Sequence, residues 1–437
     1  MVAKLFDGRP PKPNDRLLDP GCGTGAFIEG VVRWCEKRPV DPPAILGVES
    51  DPVHLAEAKR KLRHLPFVTL AQEDFLADRS ERFDYVIGNP PYVPITGLSA
   101  TEKARYRAGY ETAAGRFDLY LLFFEQALRL LKPGARLVYI TPEKYLYVQS
   151  ARPLRRQLAS LHVEEVAFVA ESTFGELTTY PTITTLSNCV SERATRVVLR
   201  DGQVRHVRFR ANASSWLPAI SGGEADRQAD TLADVCIRIS CGVATGADEV
   251  YVSKTSELAA NLRQFAYPTV AGRQITVGEG MAATHSMLVP YATNGELLPE
   301  EHLAELGEYL RQPELRARLM RRTCASRKRW YSFHENPPLS DILRPKILCK
   351  DIGSRPYFLV DETGGIVPRH SVYYIVPRDP SRVGELCRYL NSGIAQAWLL
   401  SHCQPAANGF IRLQSHVLKS IPIPPALVDE PKLALAG

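Results

Sequence analysis

Two short segments of the chain carry residue types that could perform group-transfer chemistry. Residues 17 to 25 read Leu-Leu-Asp-Pro-Gly-Cys-Gly-Thr-Gly, a hydrophobic strand that runs into a glycine-rich turn. Residues 83 to 92 read Phe-Asp-Tyr-Val-Ile-Gly-Asn-Pro-Pro-Tyr, a second strand that runs into a proline-rich turn. Glycines let the backbone approach a ligand at a helix N-terminus. Together the segments indicate methyl transfer from S-adenosylmethionine to an exocyclic amine, foremost N6 of adenine in DNA.

The proline-rich turn offers acceptors for a planar amino group. The side-chain carbonyl of Asn89 and the backbone carbonyl of Pro90 could each accept one amine hydrogen, which localises the nitrogen lone pair for attack on a methyl group. Proline fixes φ, so these carbonyls are pre-organised. A base in a duplex must be flipped out to reach them, and Tyr92 offers it a stacking face. Phe174 could be a second face, although it could equally be a core aromatic.

The glycine turn alone suits NAD, FAD or S-adenosylmethionine, and two acidic residues favour the last. Glu49 ends the second strand, where a carboxylate can accept both ribose hydroxyls; a solvated surface acid is the alternative. Asp74 ends the third strand, where it can accept from the adenine amino group, with Phe75 beside the ring. Phe123 could line the adenine or pack in the core. No metal site is expected. The expected cofactor-binding residues also include Asp19, Pro20, Gly21, Gly23, Gly25 and Asn89.

The elements around these motifs predict the fold. Strands alternate with helices from residue 17 to 141, which is typical of a doubly wound, Rossmann-like α/β sheet with ligands at the carboxyl ends of its strands. Residues 211–231 are rich in Ser, Gly, Ala and Asp and are predicted to form a linker. We therefore expect a catalytic methyltransferase domain over 1–210 and a mixed α+β target-recognition domain over 232–437.

Composition limits the remaining possibilities. A chain of 437 residues with 45% hydrophobic content can bury two cores. It has no apolar stretch of roughly 20 residues and no signal-peptide pattern, so no membrane contact is expected. The nine cysteines form no CxxC pair, which favours reduced thiols in a cytoplasm. The net charge of +6 suits a polyanionic partner.

The order of these motifs resembles gamma-class N6-adenine DNA methyltransferases of the TaqI type. Segments 115–120, 132–142 and 418–424 are similar to later parts of that family, while its motif before the first strand is reduced to residues 1–6. The resemblance implies S-adenosylmethionine as cofactor, double-stranded DNA as partner and Phe174 as the second base-stacking residue. It also implies a monomer in a restriction-modification or related defence system, with a restriction endonuclease encoded separately.

The C-terminal half contains a basic run that could bind phosphates, although a solvated helix is the alternative. Asn408, Arg412 and Gln414 could contact base edges. Three other functions compete with this one. The first is a methyltransferase for RNA or protein glutamine that uses the same turn, although the size of the C-terminal domain favours DNA. The others are a bifunctional restriction enzyme and a binding protein without catalysis, and the intact Asn89 and Tyr92 argue against the latter. The basic run comprises Arg311, Arg316, Arg318, Arg321, Arg322, Arg327, Lys328 and Arg329.

Overall fold

The computed structural model describes residues 1–169, 181–222, 230–278, 280–406 and 409–428. The chain divides into two compact units, Met1–Glu224 and Ala225–Gly437. Phe174 and Asn408, which the sequence nominates for base stacking and base contact, lie outside the described residues. No helix in the described ranges is long and apolar enough to cross a membrane.

The first unit is built on one sheet. Within the described residues its strand order is β3-β2-β1-β4-β5-β7-β6-β8-β9, with β1 to β5 parallel and β7 antiparallel between β5 and β6. This confirms the predicted doubly wound sheet. The strands are β1 (Arg16–Pro20), β2 (Ala44–Glu49), β3 (Val68–Gln72), β4 (Phe83–Gly88), β5 (Leu131–Pro142), β6 (His162–Phe168), β7 (Pro181–Ser187), β8 (Thr195–Val198) and β9 (Val204–Val207).

Local sequence signals explain where the helices of this unit begin. Asp51 accepts hydrogen bonds from the first turn of α3, which has Pro52 at its first position. Ser99 and Glu102 form a capping box at the start of α4. The helices are α1 (Val2–Leu5), α2 (Ala26–Glu36), α3 (Pro52–Leu62), α4 (Ala100–Gly109), α5 (Leu119–Leu130), α6 (Arg152–Ala159) and α7 (Leu217–Ser221).

The N-terminal residues pack behind the sheet. Phe6 is buried against the rings of Trp34 and Tyr85, with centroids 4.7 and 5.1 Å away. The guanidinium of Arg136 donates to the carbonyl of Asp7 at 2.6 Å. The segment 1–6 is therefore a short helix fixed to α2 and the strands beside it.

The predicted linker over 211–231 is wrong in its first half. Trp216 is buried and stacks on Phe209 with ring centroids 4.0 Å apart, and its indole N–H donates to the carbonyl of Arg210. The buried guanidinium of Arg155 reaches the carbonyl of Ser214 at 2.6 Å. Polar composition suggested a linker, but one large aromatic residue anchors residues 211 to 222 to the first unit.

The second unit is mixed α+β, as predicted. Its described strands form sheets ordered β10-β20-β16-β18, β11-β15-β12-β19, β13-β14 and β17-β22-β21. The strands are β10 (Cys236–Cys241), β11 (Val252–Lys254), β12 (Ala266–Val270), β13 (Ile275–Thr276), β14 (Gly280–Met281), β15 (His285–Leu288), β16 (Lys346–Lys350), β17 (Ile352–Gly353), β18 (Phe358–Asp361), β19 (Val367–Pro368), β20 (Val372–Pro377), β21 (Gln404–Pro405) and β22 (Ile411–Arg412). The helices are α8 (Asp248–Tyr251), α9 (Ala304–Leu310), α10 (Pro313–Met320), α11 (Leu339–Ile342), α12 (Val383–Leu390), α13 (Gly393–His402) and α14 (Ser415–Lys419).

A buried ion pair lies within this second unit. The ammonium of Lys346 on β16 donates to the carboxylate of Asp361 on β18 at 2.5 Å, and both side chains are almost fully buried. The ammonium also reaches the carbonyl of Gly364, and the carboxylate accepts from the N–H of Ile366. Because these bonds connect β16 and β18 to Gly364 and Ile366, the pair fixes the turn that comes after β18.

Candidate active site

The glycine turn and the proline-rich turn come directly after adjacent strands. β1 and β4 are parallel neighbours, with Leu18 paired to Val86. Gly21 lies three residues after Leu18, and Asn89 lies three residues after Val86. The two turns therefore begin at the same level of the sheet, one strand spacing of about 4.8 Å apart. The structure therefore brings the two predicted motifs together at the carboxyl ends of the strands.

Glycine is required by the conformation of the first turn. Gly21, Gly23 and Gly25 have φ of 80°, 55° and 91°, a region that other residues rarely adopt. The N–H groups of Gly21 and Cys22 both donate to the carbonyl of Val48, at 2.7 and 3.0 Å. A Cβ on Gly23 would meet no atom of the described residues within 4 Å. The turn is thus tied to β2 on one side and leaves backbone accessible on the other.

Glu49 belongs to this turn. Its carboxylate accepts from the N–H of Gly23 at 2.8 Å and from the N–H of Asp51 at 2.9 Å. These two bonds occupy one lone pair on each oxygen and leave further acceptor capacity for hydroxyl groups. The carboxylate therefore holds the glycine turn in place.

Asp19 and Pro20 end β1, directly before the glycines. Asp19 is fully buried, and neither carboxylate oxygen has a hydrogen-bond partner among the described residues. Burial, and then the nearby charge of Glu49, raise the pKa of Asp19 well above its ordinary value. A buried carboxylate without donors is costly. This site therefore fits a ligand that brings a cationic or N–H donor group, such as the amino-acid end of S-adenosylmethionine.

Two aromatic rings lie close to the glycine turn. Phe75 and Phe123 are buried, with ring centroids 5.0 Å apart. A Cβ on Gly21 would lie 3.7 Å from the ring of Phe123. Phe123 is thus both a core residue and a neighbour of the turn, so the two roles left open for it are compatible, and its apolar surroundings fit a planar purine.

Asp74 precedes this aromatic pair and already has two donors. One carboxylate oxygen accepts from the N–H of Leu76 at 2.9 Å, and the other accepts from the guanidinium of Arg105 on α4 at 2.5 Å. No pattern in the sequence points to Arg105, because it lies 31 residues away and has no motif of its own. Each oxygen keeps a lone pair for a further donor.

The three candidate residues of the proline-rich turn differ in their exposure to solvent. Asn89 is exposed and Pro90 is buried beneath it. Tyr92 is 38% exposed, and its hydroxyl donates to the carbonyl of Ile140 at 3.3 Å. Its ring meets Tyr120 edge-on, with centroids 6.3 Å apart, so the Tyr92 ring is fixed in position. Partial burial raises the pKa of Tyr92 to about 12, so the hydroxyl stays protonated as a donor.

The segment after the proline-rich turn is also held. The N–H of Ile95 donates to the carbonyl of Phe117, and the N–H of Leu119 donates to the carbonyl of Val93. These bonds tie the turn to the start of α5. Asn89 and Tyr92 are therefore placed by a rigid strand on one side and by paired backbone on the other.

Only some side chains of the basic run in the second unit are available to contact a ligand. Arg322 donates to the carbonyls of Leu319, Thr245 and Trp330, so it supports the fold. Arg311 pairs with Glu300. The residues that are exposed and have no side-chain partner among the described residues are Arg318, Arg321 and Arg327. Any phosphate-binding face is narrower than the sequence suggested.

The two candidates for base contact that lie in the described residues differ in whether their side chains already have a partner. Arg412 on β22 is exposed. Gln414 accepts a hydrogen bond from the side chain of Gln404 at 2.8 Å. Arg412 is therefore the freer of the two.

Comparison with known proteins agrees with this architecture. The profile of the Eco57I restriction-modification methylase matches residues 52–174, and that of the TaqI-like C-terminal specificity domain matches residues 299–423. The Type II methyltransferase M.PaeR7I of Pseudomonas aeruginosa is 27% identical over 95% of this chain and 82% of its own length. M.XhoI of Xanthomonas vasicola is 26% identical over 81% of this chain and 71% of its own length.

One solved structure is similar in fold over most of the chain's length. The Type IIL restriction-modification enzyme MmeI, solved in complex with DNA, superimposes with a TM-score of 0.63 over 93% of this chain and 61% of that chain. Its identity of 11% makes this a likeness of fold alone. The similarity to Type II methyltransferases confirms the predicted cofactor, S-adenosylmethionine. The two family matches, over residues 52–174 and 299–423, confirm the resemblance to TaqI-type methyltransferases that the sequence predicted.

Proposed function

We propose that this protein is a site-specific DNA methyltransferase that methylates N6 of a flipped-out adenine. The observation that carries the proposal is the pairing of the Asn89 turn with the glycine turn on neighbouring parallel strands of one sheet. The specificity-domain match over residues 299–423 favours DNA, as do the Type II methyltransferases to which the chain is similar.

The residues of the catalytic turn would act by positioning. The side-chain carbonyl of Asn89 and the backbone carbonyl of Pro90 accept the two hydrogens of the adenine amino group. The amine nitrogen then becomes more tetrahedral, which localises its lone pair toward the methyl donor. Both acceptors lie at the end of a buried strand, so they need little reorganisation when the reaction occurs. Tyr92 stacks on the flipped base, and Phe174 is proposed as the opposite face.

The cofactor would be held by the residues around the glycine turn. S-adenosylmethionine supplies the methyl group when bound. Asp19 accepts from its amino-acid end, Glu49 from its ribose hydroxyls, and Asp74 from its adenine amino group, with Phe75 beside the adenine ring. The remaining residues proposed to contact the cofactor are Pro20, Gly21, Gly23, Gly25 and Asn89. The unpartnered, buried oxygens of Asp19 support this assignment most directly.

We further propose a modification role in a restriction-modification or related defence system in the cytoplasm. Target choice would reside in the second unit, from about residue 232, and catalysis in the first. The protein would act as a monomer, with a restriction endonuclease encoded separately.

A second candidate shares the catalytic turn. A planar amide or an RNA base could also offer its amino group to Asn89, and a release factor glutamine methyltransferase of Moorella thermoacetica is 28% identical over 31% of this chain. That relative matches less than a third of the chain, whereas M.PaeR7I and M.XhoI match most of it.

The test is a three-way competition. Purified protein is incubated with methyl-labelled S-adenosylmethionine and equal amounts of duplex DNA, total RNA and protein extract. We expect label in DNA, recovered as N6-methyladenine after nucleoside chromatography, and sequencing of the product DNA would then give the site. Label confined to RNA or protein would refute the proposal.

A further inference from the structure

An exposed arginine on α4 contacts the carboxylate assigned to the cofactor adenine. The guanidinium of Arg105 donates to Asp74 at 2.5 Å and to the hydroxyl of Tyr106 at 3.0 Å, and it lies over the Tyr106 ring at 4.8 Å. Tyr106 is buried in the core. The arginine is therefore itself fixed by a rigid neighbour while it holds the carboxylate.

The rest of the loop after Asp74 is supported from the same direction. The hydroxyl of Tyr110, at the end of α4, donates to the carbonyl of Leu76 at 2.9 Å. The side chain of Gln126 on α5 donates to the carbonyl of Ala77 at 3.2 Å. Three side chains from the segment beyond the catalytic turn thus hold three polar groups of this loop.

The solvent exposure of the ion pair between Arg105 and Asp74 indicates its role. The side chains of Arg105 and Asp74 are 52% and 38% exposed. Pairs this open to solvent add little to folding stability. The ion pair does, however, determine the orientation of the Asp74 carboxylate, because a carboxylate with a donor on each oxygen has a defined plane. Its remaining lone pairs then point in set directions.

We propose that Arg105 is a positioning residue that orients the Asp74 carboxylate to accept the amino group of the cofactor adenine. The inference rests on S-adenosylmethionine as the cofactor but not on DNA as the substrate. Because α4 comes after the catalytic turn in the chain, Arg105 also links that segment to the adenine end of the cofactor site.

The experiment compares two ligands by calorimetry. One is S-adenosylmethionine, and the other is the same molecule with hypoxanthine in place of adenine, which carries a carbonyl where adenine carries its amino group. Arg105→Gln should weaken binding of the adenine cofactor about tenfold and binding of the hypoxanthine analogue less than twofold. Arg105→Lys should give an intermediate loss, since lysine keeps the charge but not the planar fork.

Arg107→Gln is the matched control. Arg107 lies on the same helix, is exposed, and has no side-chain partner among the described residues. It should leave both affinities unchanged. Asp74→Asn combined with Arg105→Gln should lose little more than Asp74→Asn alone, because the arginine acts through that carboxylate.

Two results would overturn the inference. One is wild-type affinity of Arg105→Gln for S-adenosylmethionine. The other is an equal loss for both ligands, which would mean that the arginine merely supports α4. Failure of the proposed function would look different, because wild-type protein would then bind the cofactor with normal dependence on Arg105 yet leave DNA unmethylated.

Discussion

Removal of the Glu49 carboxylate should weaken both the fold and cofactor binding. The carboxylate accepts from the half-buried N–H of Gly23 and from the solvent-accessible N–H of Asp51. Water can replace the acceptor at Asp51 but only poorly at Gly23. A lost hydrogen bond to a charged acceptor costs about 1.5–3 kcal/mol, so Glu49→Ala should lower the free energy of unfolding by about 2 kcal/mol. For a unit of this size that is a Tm about 4–8 °C lower.

Cofactor affinity should fall by a separate amount. The ribose hydroxyls lose their acceptor, which costs about 1–3 kcal/mol, or about 5- to 150-fold in Kd. Calorimetry on folded Glu49→Ala, well below its Tm, measures this loss. Glu49→Gln keeps one carbonyl acceptor and should give a smaller loss on both measurements. Glu57→Gln is the charge-matched control, because Glu57 is partly exposed on α3 and pairs only with Lys61 among the described residues. It should change neither cofactor affinity nor turnover.

The two measurements can refute separate parts of the reasoning. A Glu49→Ala protein with a lower Tm and wild-type cofactor affinity would make the carboxylate a structural support of the turn and nothing more. A protein with unchanged Tm would contradict the hydrogen-bond geometry at Gly23.

Three further outcomes are expected. Lys346→Met should destabilise the second unit by about 3–5 kcal/mol in denaturant unfolding, because it leaves the Asp361 carboxylate buried and unpaired; the double variant Lys346→Met/Asp361→Leu should recover most of that loss. Asp19 has a raised pKa in the folded chain. Above the ordinary carboxyl pKa of about 4, the unfolded chain has released this proton while the folded chain still holds it. The free energy of unfolding of the cofactor-free protein should therefore fall as pH rises. Asp19→Asn should reduce the difference between the free energies of unfolding measured at pH 5 and pH 8. Neutralising the free arginines of the basic run should reduce the slope of log affinity for duplex DNA against log salt by about 2.7, near 0.9 per contact, whereas neutralising exposed basic residues of α3 should not. These arginines are Arg318, Arg321 and Arg327.

Local patterns were enough to predict the fold of the first unit and that the glycine turn and the proline-rich turn lie side by side. Gly21 and Asn89 come directly after hydrophobic strands, and parallel strands bring the turns at their carboxyl ends to one edge of the sheet. Leu18 and Val86 needed only to be recognised as strand residues for Gly21 and Asn89 to be expected close together. The specificity domain, in contrast, was predicted by family resemblance.

Contacts between distant residues were not predictable in the same way. The ion pair of Arg105 with Asp74 joins a helix to a loop, and neither residue has a neighbour pattern that indicates the other. Trp216 lies in a stretch of small polar residues, so composition suggested a linker although its ring is buried. Arg322 looked like its basic neighbours until its three carbonyl partners distinguished it.

The central claim is that the Asn89 turn activates N6 of adenine, and one comparison tests it most directly. Wild-type protein and Asn89→Ala are measured for S-adenosylmethionine affinity by calorimetry and for formation of N6-methyladenine in duplex DNA under single-turnover conditions. Losing one pre-organised acceptor should cost about 3–4 kcal/mol in the methyl-transfer step, roughly 10²- to 10³-fold in rate. Cofactor affinity should fall far less than the rate, because the glycine turn, Glu49 and Asp74 still hold the cofactor. An Asn89→Ala protein that methylates DNA at a rate close to wild type, or a wild-type product other than N6-methyladenine, would contradict the account.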